Sequence, residues 1–345
     1  MRHVTRDAVW LLRLGFGAWL VPAGLNHFIG LFPQPPGNQA LSQEVLAALI
    51  ASGLFSLVKA VELAAGLALL LGRWVPLALA MLLPVSFNVW FWDVELQGWT
   101  SVSAWYGWAV LGANVLLCLA WWPSYRTMLT PGGGGNAALA RYFTPLRLLL
   151  GALLLIGGIN ALSGHWWPMP SGSNPLAVQL LTALQHSGLA QVGFGILLVA
   201  GLLLVGGFSV PFALAAALPV NIGALYWALV LEQHPLWAPL ALLLVALNGL
   251  LLLASLPACR PMLAMRPLAV GETSQPGERY EHLFSDLRAS LPLRALATGA
   301  LLLALAYAFY WFLLPPMLGF WNMAMLVLPG LILLAKVPQR RTAPV

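Results

Sequence analysis

Apolar runs of roughly eighteen residues or more recur along this 345-residue chain. Each can cross a hydrocarbon core roughly 30 Å thick at 1.5 Å per helical residue. Lipid offers no hydrogen-bond partners, so a spanning segment satisfies its own backbone as a helix or closes into a barrel. Here the runs are continuous and rich in Leu and Ala rather than alternating, which selects helices. Only 8% of the residues are charged, against about 25% in an average soluble domain, so little sequence is left for a soluble fold. The expectation is an all-α polytopic membrane protein.

Ten spans are expected, over residues 9–31, 53–72, 74–96, 104–122, 145–163, 188–206, 208–231, 236–256, 293–313 and 317–336. The charges check this count. Apart from Lys59, every Lys and Arg falls in alternate connections: Arg2, Arg6 and Arg13; then Arg73; then Arg126, Arg141 and Arg147; then Arg260 through Arg294; and finally Lys336, Arg340 and Arg341. One missed helix would scramble that pattern. The positive-inside rule then places both termini in the cytoplasm of a bacterial inner membrane, with the lipid bilayer as the first partner. The net charge of +6 is a topology signal and gives no reason to expect nucleic-acid binding. Cys118 and Cys259 are in no CxxC pair, so neither a structural disulfide nor a thiol relay is expected.

The first eight spans are a duplication offset by about 134 residues. Arg13 pairs with Arg147, Gly24 with Gly158, Asn26 with Asn160, Ser52-Gly53-Leu54 with Ser187-Gly188-Leu189, Pro84 with Pro219, and Asn114 with Asn248. The first unit is expected over residues 1–130 and a second, degenerate one over 141–266, joined by the Gly-rich linker 131–136. A polar cytoplasmic loop, 267–292, then leads to the last two spans and tail, 293–345. In each copy a Pro-rich turn precedes a short amphipathic stretch, 40–51 and 175–186, expected to lie along the outer membrane surface. Most outer-side Trp residues, among them Trp90, Trp99, Trp105, Trp166, Trp167 and Trp227, are expected as headgroup-level anchors.

The two copies differ in polarity, and each serves as a control on the other. His27, Lys59, Glu62 and Asn88 of the first face Ala161, Phe194, Leu197 and Gly223 of the second. The helical rise puts Lys59 roughly 9 Å and Glu62 roughly 13 Å below the outer face, with Asn26 and His27 roughly 6–8 Å deep. Asn88 and Asn114 follow at roughly 12 and 15 Å. Charges inside a membrane are costly and normally face the bundle interior and a partner. Lys59 and Glu62, at i and i+3, can pair. The second copy does without that pair, which argues for function over structure. Asn26 and Asn114 persist in both copies and read first as interhelical hydrogen-bonding residues. Pro84 bends its helix one turn before Asn88, and Trp92 and Glu95 continue that stripe. No His pair, HExxH or Cys/His cluster points to a protein-bound metal.

At these residues the chain resembles the DoxX/DoxD-like family of four-helix bacterial membrane proteins. The matching pieces are Arg13-Leu14-Gly15-Phe16-Gly17 with Ala23-Gly24-Leu25-Asn26-His27, and Glu62-Leu63-Ala64-Ala65-Gly66 with Leu69-Leu70-Leu71-Gly72-Arg73. The resemblance covers each four-helix copy, the first more clearly, and His27 stands where the family often has Lys. It implies membrane-bound redox work, including quinone-coupled oxidation.

The leading expectation is a subunit of a membrane oxidoreductase system that binds a small or quinone-like ligand in the outer half of the first copy. Glu62 and Lys59 are its candidate catalytic residues, one handling protons and the other holding an anionic or carbonyl group. His27, Asn88, Asn26, Asn114 and Trp92 are its candidate ligand-binding residues. A quinone is the candidate cofactor, and a membrane or soluble redox protein the candidate partner. A small-molecule permease and a non-catalytic membrane anchor remain as alternatives.

Overall fold

The structure is a computed structural model. It describes residues 2–31, 34, 36–130, 137–164, 166, 168–267 and 269. The expected spans 293–313 and 317–336, nearly all of the loop 267–292, the linker, His165 and Trp167 lie outside the described residues. Within them the protein is all-α, with no strand.

The helices are α1 (Arg2–Ile29), α2 (Ala40–Ala51), α3 (Leu54–Leu71), α4 (Val75–Trp90), α5 (Val102–Ala120) and α6 (Trp122–Leu129), then α7 (Ala137–Leu162), α8 (Pro175–His186), α9 (Leu189–Gly206), α10 (Val210–Tyr226), α11 (Trp237–Ala254) and α12 (Leu256–Cys259). A five-residue π-helix, π1 (Phe91–Glu95), continues α4, and π2 (Trp227–Glu232) continues α10. Eight of the helical segments described are long and apolar enough to cross a membrane, and they coincide with the first eight expected spans to within a few residues. The protein is therefore multi-pass, with many large apolar side chains on its outer surface facing lipid.

The duplication is visible in backbone geometry. Gly72, after α3, and Gly207, after α9, both take left-handed φ values, 66° and 73°. A Cβ at either would collide with an arginine guanidinium, Arg13 in the first copy and Arg147 in the second. The next turn is closed in each copy by a non-glycine left-handed residue, Trp74 (φ 49°) or Ser209 (φ 44°). Proline follows at Pro76 and Pro211, in the first turn of α4 and α10, where its missing N–H costs nothing.

Contacts divide the chain into two compact units that do not follow the repeat boundaries. Of the described residues, one unit contains those up to 34, 58–122 and those from 264 to 269; the other contains those within 36–57 and 123–263. In the first, Phe16 and Leu20 of α1, Leu69 of α3, Leu79 and Leu82 of α4 and Leu117 of α5 are buried. In the second, Leu150 and Leu154 of α7 meet Ala200 and Leu204 of α9, Ala213, Leu214 and Ala217 of α10, and Leu247 and Leu251 of α11. Helices in lipid gain little from apolar transfer and associate through close packing and polar contacts. Gly24 provides such an approach, since a Cβ there would stand 2.9 Å from the Leu63 nitrogen and 3.0 Å from the Lys59 carbonyl oxygen. Gly158 does the same against Leu198.

Although α2 belongs in sequence to the first copy, it packs in the second unit against α8, its own counterpart. The reason is apolar: Val45, Leu46 and Ala48 of α2 are buried, as are Ala177, Leu180 and Ala183 of α8. Tyr226 Oη donates to the Ser52 carbonyl at 2.7 Å, just beyond the end of α2. Glu44 and His186 pair across the two helices at 3.0 Å. Faces expected to rest on lipid are used, at least in part, to hold these helices together.

Candidate functional site

The polar interior of the first unit is built on α3. Lys59 Nζ donates to Glu62 Oε2 at 2.6 Å, one turn apart on the same helix. The Glu62 side chain is 2% exposed and that of Lys59 12%. This is a desolvated, charge-assisted pair.

A second carboxylate reaches the interior through the π-helix. Where α4 gives way to π1, the Leu96 N–H donates to the Phe91 carbonyl, five residues back, at 3.1 Å. Such a widened turn slips the helix register. Asp93 is buried as a result, while Trp92 is only partly so and Glu95 is exposed. The Gln97 side-chain amide, one turn on, donates to Asp93 Oδ1 at 3.1 Å. On α5 Gly107 makes room for this segment, since a Cβ there would stand 2.8 Å from Asp93 Cβ.

The two carboxylates share a neighbour in Tyr106 of α5. Its phenol lies within electrostatic reach of Asp93 and of Glu62, and it is hydrogen-bonded to the indole of Trp19 on α1. The Trp19 and Tyr106 rings meet edge to face with centroids 5.3 Å apart. Four elements, α1, α3, π1 and α5, thus contribute to one polar set, in which Trp19, Glu62 and Asp93 are buried and Lys59 and Tyr106 partly so.

The remaining sequence-predicted residues divide. Asn114 is fully buried and donates to Ser86 Oγ of α4 at 2.9 Å, while Cys118 Sγ donates to its Oδ1 at 3.4 Å. This is the interhelical hydrogen bond expected of it. Asn26 is buried on α1. His27 is partly buried near the end of α1, edge-on to Phe28. Asn88 is exposed and donates to the Pro84 carbonyl at 3.0 Å, satisfying itself on its own helix. Trp227, expected as a headgroup anchor, donates to the Ala177 carbonyl at 2.9 Å. Among the described residues, no group of three or more His, Cys, Asp or Glu side chains could hold a metal. Cys259, outside the spans, is buried, which pushes its thiol up from the ordinary cysteine range.

In the second unit the equivalent positions are apolar: Phe194 for Lys59, Leu197 for Glu62, Ala228 for Asp93 and Leu240 for Tyr106. The π-helix is present in both, so it belongs to the architecture and only its side chains differ. Gln97 is replaced by Glu232, which serves a structural end. Its carboxylate accepts from the Ser173 N–H and hydroxyl and from the Asn174 N–H, over 2.6–3.0 Å, at the start of α8. Asn221 stands in place of Ser86, and the hydrogen bond to the shared asparagine is lost. Asn221 Nδ2 and both polar atoms of Asn248 are buried with no hydrogen-bond partner among the described residues.

Searches of family models, curated proteins and solved structures find no match to this chain.

Proposed function

We propose that the first unit is a ligand site in a membrane oxidoreductase system, taking a small or quinone-like molecule beside Glu62 and Lys59. One observation carries this reading. The first unit buries two carboxylates beside a partly buried lysine and a partly buried tyrosine, drawn from three helical segments, α3, π1 and α5, and the second unit has apolar residues at all four places. A bundle of this design therefore does not need them to fold. Buried ionisable groups in membrane helices mark ligand, ion or proton sites by default. A quinone-like ligand matches this equipment, since its oxygens need hydrogen-bond donors and its reduction and oxidation move protons. The likeness of the first two spans to DoxX/DoxD-like proteins supports the same direction.

The chain sits in this reading in a bacterial inner membrane with both termini in the cytoplasm, as its arginine distribution favours. A redox protein, in the membrane or soluble, is its partner. The test is direct. The purified protein is examined by absorption spectroscopy and by mass spectrometry of co-purified small molecules, before and after Glu62→Gln. The variant is expected to insert normally and to lose the ligand, and unchanged ligand content would overturn the assignment.

A further inference from the structure

This polar set contains one more carboxylate than it has cations. Glu62 is matched by Lys59 at 2.6 Å. Among the described residues no cationic side chain pairs with Asp93, whose side-chain partner is the neutral amide of Gln97. The other titratable groups near it lie on α3, α5 and its own turn. They are Tyr106 on α5, Glu62 on α3, which acts on the same phenol and is already matched by Lys59, and Glu95, exposed on its own turn. The one cation of the set, Lys59, is spent on Glu62. A buried carboxylate without a countercharge is costly in apolar surroundings and is relieved by a bound cation or proton. A proton requires no room, and this corner has little: Asp93 is 3% exposed and packed against Gly107.

We propose that Asp93 is the proton-binding group of the first unit, while Glu62 serves as the partner of Lys59. The two carboxyls divide the work. Glu62 fixes the lysine, and Asp93 stores the proton that a ligand takes or leaves. Tyr106, beside both, is the hydroxyl through which they are coupled. The biological use of the proton rests on the ligand reading above, but the proton site itself does not. The second unit, with Ala228 and Leu197, has no equivalent store.

Dicyclohexylcarbodiimide tests this on the full-length protein in membranes without any ligand. The reagent is apolar and reacts with protonated carboxyls. The acid O–H adds across one C=N bond, and O-to-N acyl transfer leaves a stable N-acylurea, with nothing oxidised and no group lost. Peptide mass spectrometry at pH 7 should find Asp93 labelled about tenfold or more over Glu62, falling as pH is raised. Lys59→Met should bring Glu62 up toward Asp93. Infrared spectra provide a measure independent of reagent access: the protonated-carboxyl band should weaken in Asp93→Asn and persist in Glu62→Gln. Labelling of Glu62 in preference to Asp93, or a carboxyl band unchanged in Asp93→Asn, would overturn the proposal while leaving the ligand reading to its own test.

Discussion

Replacing Lys59 with Phe, the residue of the second copy, removes the cation and leaves the Glu62 carboxylate 2% exposed without its partner. Breaking a buried ion pair from one side costs about 3–5 kcal/mol. Lys59 keeps 12% exposure and a carboxylate can take up a proton, so the lower end, about 3 kcal/mol, is expected here. Glu62→Leu is milder, about 1–2 kcal/mol, because a long lysine can carry its ammonium toward water. Making both changes restores the residues found in the second unit, and exchange of a buried pair for packed apolar groups is often neutral or stabilising. The double variant should lie within about 1 kcal/mol of the parent, giving a coupling energy of at least about 3 kcal/mol. The assay is reversible unfolding in mixed micelles, followed by tryptophan fluorescence and helical circular dichroism. A double variant as unstable as Lys59→Phe alone would refute the reasoning. The pair would then be structural, and the second unit would no longer serve as a control for function.

Two further outcomes are expected. Gly24→Ala drives a Cβ into backbone atoms of α3, which cannot yield as a side-chain tip would, and should lower the unfolding midpoint by the equivalent of about 1–3 kcal/mol; Gly157→Ala, which meets nothing within 4 Å, should be neutral or slightly stabilising in the same assay. Asn114→Ala breaks the bond to Ser86 and should cost about 0.6–1.7 kcal/mol, whereas Asn248→Leu removes an amide with no hydrogen-bond partner among the described residues and should cost nothing or stabilise; the reverse order would show that Asn248 is satisfied after all.

The architecture was legible because its signal is large. Uninterrupted apolar runs fix the eight described spans, and the duplication fixes the two short helices, 40–51 and 175–186, to the residue. The site was legible only where helical periodicity is regular. Lys59 and Glu62 lie on an ordinary α-helix, so their spacing alone predicts the pair. Asp93 does not: an α-helical period carried on from Asn88 selects Trp92 and Glu95, and the π-turn at Phe91–Glu95 displaces that period. A signal was present nonetheless. Asp93 is a carboxylate in an apolar span with Ala228 as its counterpart, the same contrast that singled out Glu62. Tyr106 and Trp19 were hidden differently, since an aromatic ring in a membrane helix reads as packing until its polar tip is located. Asn88 shows how spacing and contact can differ, because a small amide can spend its donor on its own helix.

The pairing of α2 with α8 bears on the order of synthesis. The two helices are buried against each other, yet α8 is made long after Ala51 has left the ribosome, on the far side of the Gly-rich linker. Contacts this distant in sequence form late. Until then Val45, Leu46 and Ala48 have no α8 to cover them, and the second unit cannot close around residues 36–57. Translation of the first repeat alone therefore leaves an unfinished surface, and the linker keeps the helix that completes it on the same chain.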